Sequence, residues 1–255
     1  MVIGKESKGI IQRLESEALR DWASNGFIKA LLRQQSVAEN HVSRLRRVHP
    51  NKSPEQMVQY FSKLYLASVT ASGAGAGMAA AVPNGAIQIP AALADLTFFL
   101  ESSVLYVLSL AEIYGVDVED LERRRFLVMT ALLGNSGTKT VTNALGKKTV
   151  PYWSKSIINR IPAEAIKSAN KVLGPRFITK YGTKQGTLVL GKQLPLTLGT
   201  AVGAGGNLTF GYFVVRSCKG ILGESPSNWD HYVSKGDAVI DAQVVEELAS
   251  DFKLE

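Results

Sequence analysis

From Leu64 to Tyr114 the chain runs 51 residues with three charged side chains, Asp95, Glu101 and Glu112, and no Lys or Arg. A solvated surface cannot be this apolar. Pro83, Pro90 and the glycines around them interrupt the stretch too often for a simple membrane span. Helices of this composition hide their sides in protein, lipid or both. A carboxylate buried among them is costly, so each of the three needs a partner or a use.

The remaining charge is unevenly spread. Residues 1–122 carry 11 Lys and Arg against 13 Asp and Glu; residues 123–223 carry 16 against one, Glu164; residues 224–255 carry two against eight. The surplus of +7 is therefore one basic block from Arg123-Arg124-Arg125 to Lys219. Such a block suits anionic lipid, nucleic acid or an acidic partner, or a solvated face answered by counter-charges elsewhere. The one cysteine, Cys218, cannot form an internal disulfide and suits a reducing compartment. The start, Met1 to Ser7, has no apolar core of a signal peptide, so no secretory signal is expected.

Apolar spacing predicts one or two amphipathic helices over 6–48, with a break at Asn25-Gly26 and a stripe through Phe27, Leu31, Leu32, Val42 and Leu45. His49 to Pro54 reads as a turn, with Ser53 as N-cap and Pro54 at the first helical position. A helix over 54–70 leads into the small-residue run 72–82, which can pack close to another helix. A long helix over 90–114 closes on Gly115. At about 100° per residue, Asp95, Ser102, Tyr106 and Ser109 fall in one column and Glu101 and Glu112 in another. Further helices are expected over 121–133 and 162–173, with Gly174-Pro175 as a break, over 177–190, and over 237–252. Residues 134–156 read as an irregular connection, with part of it open to being helical. Leu194 to Val215 has no charge over 22 residues. That length can cross a bilayer, but its glycines, Pro195 and Asn207 favour a buried hairpin of two short helices.

The chemical motifs are weak. The glycines at 73–77 follow no strand and lack the acidic residue of a dinucleotide fold. Gly134-Asn-Ser-Gly137 is too short to wrap a phosphate. His41, His49 and His231 all lie outside the apolar elements, so neither a carboxylate-bridged metal centre nor a buried Ser-His pair is expected. Tyr152, Trp153, Phe177 and Tyr181 lie in the basic block, but no nucleic-acid-binding pattern accompanies them. Asp95 is the residue to watch. It either pairs within the core, with Asn207, Lys192 or a helix N-terminus, or binds a polar head group inside an apolar cavity. Glu101 and Glu112 are expected in salt bridges to the basic block.

Two ordered motifs resemble the EcsC family of bacterial proteins. The first is Pro90-Ala-Ala-Leu-Ala-Asp95-Leu96, with its helix running on to Ile113-Tyr114-Gly115-Val116-Asp117. The second is Leu194-Pro195-Leu-Thr-Leu-Gly199 through Gly203-Ala-Gly-Gly206-Asn207. The resemblance spans roughly residues 55–222. It implies a helical, membrane-associated bacterial protein and no catalytic residues. The family is named after a gene beside an ABC transporter. Asp95 and Asn207 carry over as positions of interest.

These readings predict a mainly α, compact multi-helix bundle with Gly-rich apolar helical hairpins. Amphipathic helices would occupy 1–53, an EcsC-like helical domain 54–223 and an acidic tail 224–255. The expected function is a cytoplasmic, peripheral protein on the inner face of the membrane, binding a lipid or other amphiphile in an apolar cavity beside a basic face. The ligand would meet Asp95, Phe98, Phe99, Glu101, Ser102, Val104, Leu105, Tyr106 and Asn207. Arg123, Arg124, Arg125, Lys147, Lys148 and Lys155 would meet anionic lipid. Alternatives are an accessory partner of a membrane transporter without its own ligand, and a lipid- or peptide-directed enzyme using Asp95 or Glu101. No cofactor, metal or nucleic acid is expected.

Overall fold

The computed structural model describes residues 3–80, 85–145, 159–181, 196–230 and 232. Among these residues there are seven helices and no strand. They are α1 (Ile3–Val48), α2 (Pro54–Ala80), α3 (Gly85–Tyr114), α4 (Leu121–Leu133), α5 (Asn135–Leu145), α6 (Ala163–Thr179) and α7 (Leu196–Leu222). The protein is a mainly α, compact helical bundle.

Local chemistry sets several helix ends. At α2, the Gln56 amide donates to Ser53 Oγ at 3.2 Å and the Ser53 amide donates to Gln56 Oε1 at 3.1 Å. This is a reciprocal capping box, with Pro54 filling the first helical position. At α4, Asp120 accepts from the Arg123 amide at 2.9 Å. At the end of α3, Gly115 takes φ 65°; its N–H donates to Glu112 O, and Val116 N–H donates to Ala111 O. That pair of bonds is the Schellman closure, with Val116 buried as its apolar contact.

Packing follows the apolar faces. Helices α2 and α7 lie along each other, and α3 rests on α2, with a lighter contact to α7. Their direction is antiparallel: Gly211 sits against Leu66 and Val69, while Asn207, one turn earlier, reaches the partner of Ser72. From Phe27 onward, α1 buries Phe27, Ala30, Leu31, Ala38 and Val42, and it packs chiefly on α3. Helices α4, α5 and α6 form a second cluster that meets α1, α3 and α7. An aromatic run ties the clusters together. Phe27 and Phe177 have ring centroids 4.3 Å apart, Phe177 and Tyr181 4.9 Å, and Phe99 lies 6.4 Å from both Tyr181 and Phe210. Four helices thus share one buried aromatic seam, and each fully buried ring contributes on the order of 2–3 kcal/mol.

Several local expectations are corrected. Helix α1 passes through Asn25-Gly26 unbroken. A helical glycine costs about 1 kcal/mol, less than the burial of Phe27, Ala30 and Leu31 just beyond it returns. Leu32 points outward, 57% exposed, because Leu31 takes the inward position. Helix α2 continues through the glycine run to Ala80. Helix α6 continues through Gly174-Pro175. Pro175 is exposed, so the bond it removes lies on the solvent side, while Phe177 and Tyr181 are held in the core. Within the connection over 134–156, the part that is helical is Asn135–Leu145, which forms α5. The expected hairpin of two short helices is one helix, α7. Helices over 182–190 and 237–252 lie outside the described residues.

Among the described residues, Ala94–Tyr114 is the one helical stretch long and apolar enough to cross a membrane. Two thirds of its window is buried against other helices, which is also how a core helix behaves.

Candidate functional site

Asp95 lies where three helices meet. It is 5% exposed, and its Oδ1 accepts from Ser72 Oγ of α2 at 2.7 Å and from Asn207 Nδ2 of α7 at 2.8 Å. Of the expected roles, the geometry places pairing with Asn207. The two motif positions, 112 residues apart, meet in one hydrogen bond.

Further along α3 the polar groups pair in the same style. Tyr65 OH and Ser103 Oγ are 2.7 Å apart, and Ser62 Oγ and Tyr106 OH are 2.9 Å apart. The Tyr65 and Tyr106 rings stack with centroids 4.6 Å apart. Burial pushes both phenols, the Tyr181 phenol and the Cys218 thiol far up. Held protonated, they cannot serve as bases or thiolate nucleophiles near neutral pH.

The other expected ligand contacts divide. Phe99, Val104 and Tyr106 are buried, Ser102 and Leu105 half-buried, and Phe98 faces outward. Glu101 is 3.9 Å from Arg33 of α1, so its salt-bridge partner comes from the N-terminal helix and not from the basic block.

The basic residues divide too, and Arg124 needs a correction. It is 7% exposed and faces inward. Its Nε donates to Val118 O, and its two terminal nitrogens donate to Leu31 O and Glu119 O, at 2.9–3.0 Å. A guanidinium engaged with three carbonyls cannot contact lipid; it ties α1 to the start of α4. Arg123 is half-buried, with a long 3.5 Å bond to Ile161 O. Arg125 lies 3.8 Å from Glu122. Lys147, Lys148 and Lys155 lie outside the described residues. Lys139, Arg160, Lys167, Lys171, Arg176, Arg216 and Lys219 are exposed.

A cleft of about 650 Å³ opens where α4, α5, α6 and α7 come together. Leu133, Pro175, Phe210 and Phe213 give it apolar walls, and Ser136, Arg176, Thr179 and Lys180 give it polar ones. The corner exists because of two glycines. Gly134 closes α4 with φ 64°, and at Gly137 a Cβ would stand 2.8 Å from Thr130 O. Only glycine lets α5 turn back this tightly on α4. Lys180 Nζ donates to Leu132 O, which holds its stem along the cleft wall. Phe213, 56% exposed, belongs both to the cleft and to the outer face of α7. On that face Leu208 and Tyr212, one turn apart, are followed one turn later by Arg216 and then by Lys219, all exposed.

None of the ligand contacts expected from sequence lines this cleft. A signal for it was present in Leu208-Thr-Phe-Gly-Tyr-Phe213. The inward face of α7 runs through Asn207, Gly211, Val214 and Cys218, which leaves Leu208, Tyr212 and Phe213 off it. Among the described residues no three His, Cys, Asp or Glu side chains gather as metal ligands. Compared with protein-family models, curated proteins and solved structures, the chain matches none.

Proposed function

We propose that this is a peripheral, membrane-associated bacterial protein of the EcsC type, and that it takes a lipid or other amphiphile into the cleft between α4, α5, α6 and α7. The observation that carries this reading is the cleft's composition. Its volume of about 650 Å³ suits one acyl-sized guest, its apolar walls are Leu133, Pro175, Phe210 and Phe213, and two cations stand beside them, Arg176 and Lys180. The outer face of α7 adds a membrane-facing grammar: exposed Leu208, Tyr212 and Phe213, then Arg216 and Lys219. Aromatic residues next to cations suit the headgroup level of an anionic bilayer. The meeting of Asp95 and Asn207 supports the EcsC resemblance, since it makes one structural feature of its two motifs.

The test is co-sedimentation with vesicles of phosphatidylglycerol in phosphatidylcholine, together with native mass spectrometry of gently purified protein. Pelleting at low salt, release at high salt and a bound lipid mass are expected. Phe213→Asp and Arg176→Glu, both at exposed positions, weaken pelleting while leaving the melting temperature unchanged. No pelleting and no bound lipid overturn the reading.

One further observation favours the alternative, an accessory partner of a membrane transporter. Tyr60, Leu64, Ala67, Ala71, Gly75 and Met78 recur every three or four residues on α2, are all exposed and carry no charge. A stripe with that spacing suits a partner helix. Crosslinking from membranes that recovers one dominant protein with an empty cleft is the outcome for that reading.

A further inference from the structure

A second pocket lies at the far end of α1, and its chemistry differs from that of the cleft. It encloses about 160 Å³ and is lined by Ser43, Arg46, Arg47, His49, Pro50, Trp229 and Tyr232. The segment after α7 returns to this end of the molecule. Trp229 Nε1 donates to Lys52 O at 2.9 Å, and the Tyr232 hydroxyl lies 2.8 Å from Ser43 Oγ. The two rings meet nearly at right angles, with centroids 5.7 Å apart. The Arg46 guanidinium rests against both, 4.5 Å from the Trp229 ring centre and 4.4 Å from that of Tyr232.

Stacking uses the faces of a guanidinium and leaves its N–H edge for acceptors. Among the described residues, neither Arg46 nor Arg47 makes a salt bridge, and no carboxylate lines the pocket. Arg46 is thus a fork already fixed in place, with a second guanidinium and an imidazole beside it. Holding the fork in advance removes the ordering cost of binding an acceptor. The carbonyl end of α1 opposes an anion, but with roughly half a charge against two full ones. The space suits a tetrahedral oxyanion, and a planar fork recognises such oxygens two at a time.

We propose that this pocket is a binding site for a phosphate monoester group, with Arg46 as its fork, Arg47 as a supporting cation and the His49 imidazole beside them. The phosphate belongs either to a soluble molecule or to a lipid headgroup. The site is independent of the amphiphile cleft.

Trp229 reports on the site directly. In the full-length chain carrying Trp22→Phe and Trp153→Phe, Trp229 emission is titrated with inorganic phosphate against chloride at equal ionic strength. A saturable change with phosphate and none with chloride is expected. Arg47→Gln, which leaves both ring contacts in place, weakens phosphate roughly threefold or more, and Arg46→Lys, which keeps the charge but loses the fork, about tenfold. Vesicles of phosphatidic acid locate the source. A response at far lower phosphate concentration than the free ion requires assigns a lipid headgroup, and equal or weaker response assigns a soluble phosphate. Identical changes with chloride, no saturation, or unchanged affinity in both arginine variants overturn the proposal.

Discussion

A buried carboxylate that accepts from two helices at once binds them tightly to its own. Asp95 joins α2, α3 and α7 through Ser72 and Asn207. Removing Asp95 strands the buried Asn207 amide, and removing Asn207 takes one donor from the buried carboxylate, so Asp95→Ala and Asn207→Ala each cost about 2 kcal/mol in urea unfolding. The double variant costs less than the two together by about 1 kcal/mol, because the second loss removes a group already stranded. Strict additivity of the two losses counts against the node. Arg124 makes the opposite case, a cation that looked free in sequence and is enclosed. Arg124→Met strands the carbonyls of Leu31, Val118 and Glu119 and lowers stability by about 3 kcal/mol. Vesicle binding per folded molecule stays unchanged; a selective loss of binding without loss of stability returns Arg124 to the surface.

Two glycines inside helices separate close backbone approach from side-chain contact. A Cβ at Gly137 would press on the Thr130 carbonyl and the Leu133 Cβ, at 2.8 and 2.9 Å, so the α4–α5 corner has to open. At Gly211 the nearest atoms are side-chain methyls of Val69 and Leu66, at 3.0 and 3.1 Å, which need to give by only a few tenths of an ångström. Replacing glycine by alanine favours either helix by about 1 kcal/mol, so the local clash decides the sign. Gly137→Ala lowers the unfolding free energy by roughly 1–3 kcal/mol, whereas Gly211→Ala stays within about 1 kcal/mol of the parent. Equal effects on chemical unfolding overturn this distinction. The same scale explains the misread boundaries. Asn25-Gly26 and Gly174-Pro175 are local stop signals, and burial of Phe27, Leu31, Phe177 and Tyr181 overrides them.

For the whole molecule, protonated groups enclosed in one core give stability a predictable pH dependence. Burial raises Tyr65, Tyr106, Tyr181 and Cys218 in the folded protein. Below the unfolded values, about 8.5 for a thiol and 10 for a phenol, both states are protonated and their contribution is complete. Above them the unfolded chain ionises first, so unfolding releases protons and stability falls as pH rises. Urea midpoints are expected to hold up to about pH 8 and decline beyond it, with Cys218→Ala removing the earliest part of the decline. A midpoint that rises between pH 9 and 11 contradicts the enclosed core. Helical class, the α4 boundaries, the cap at Ser53 and the closure at Gly115 were legible along the chain, because hydrophobic period and cap chemistry act within a few residues. So was the need of Asp95 for a partner, with Asn207 one of three candidates, because a charge in so apolar a stretch demands one. The bond itself, the enclosure of Arg124, the choice of Arg33 for Glu101 and the two pockets were decided by how the helices cross. Contacts between residues so far apart along the chain leave no period in the sequence, and whether a cation faces solvent or three carbonyls depends on the helix that arrives opposite it.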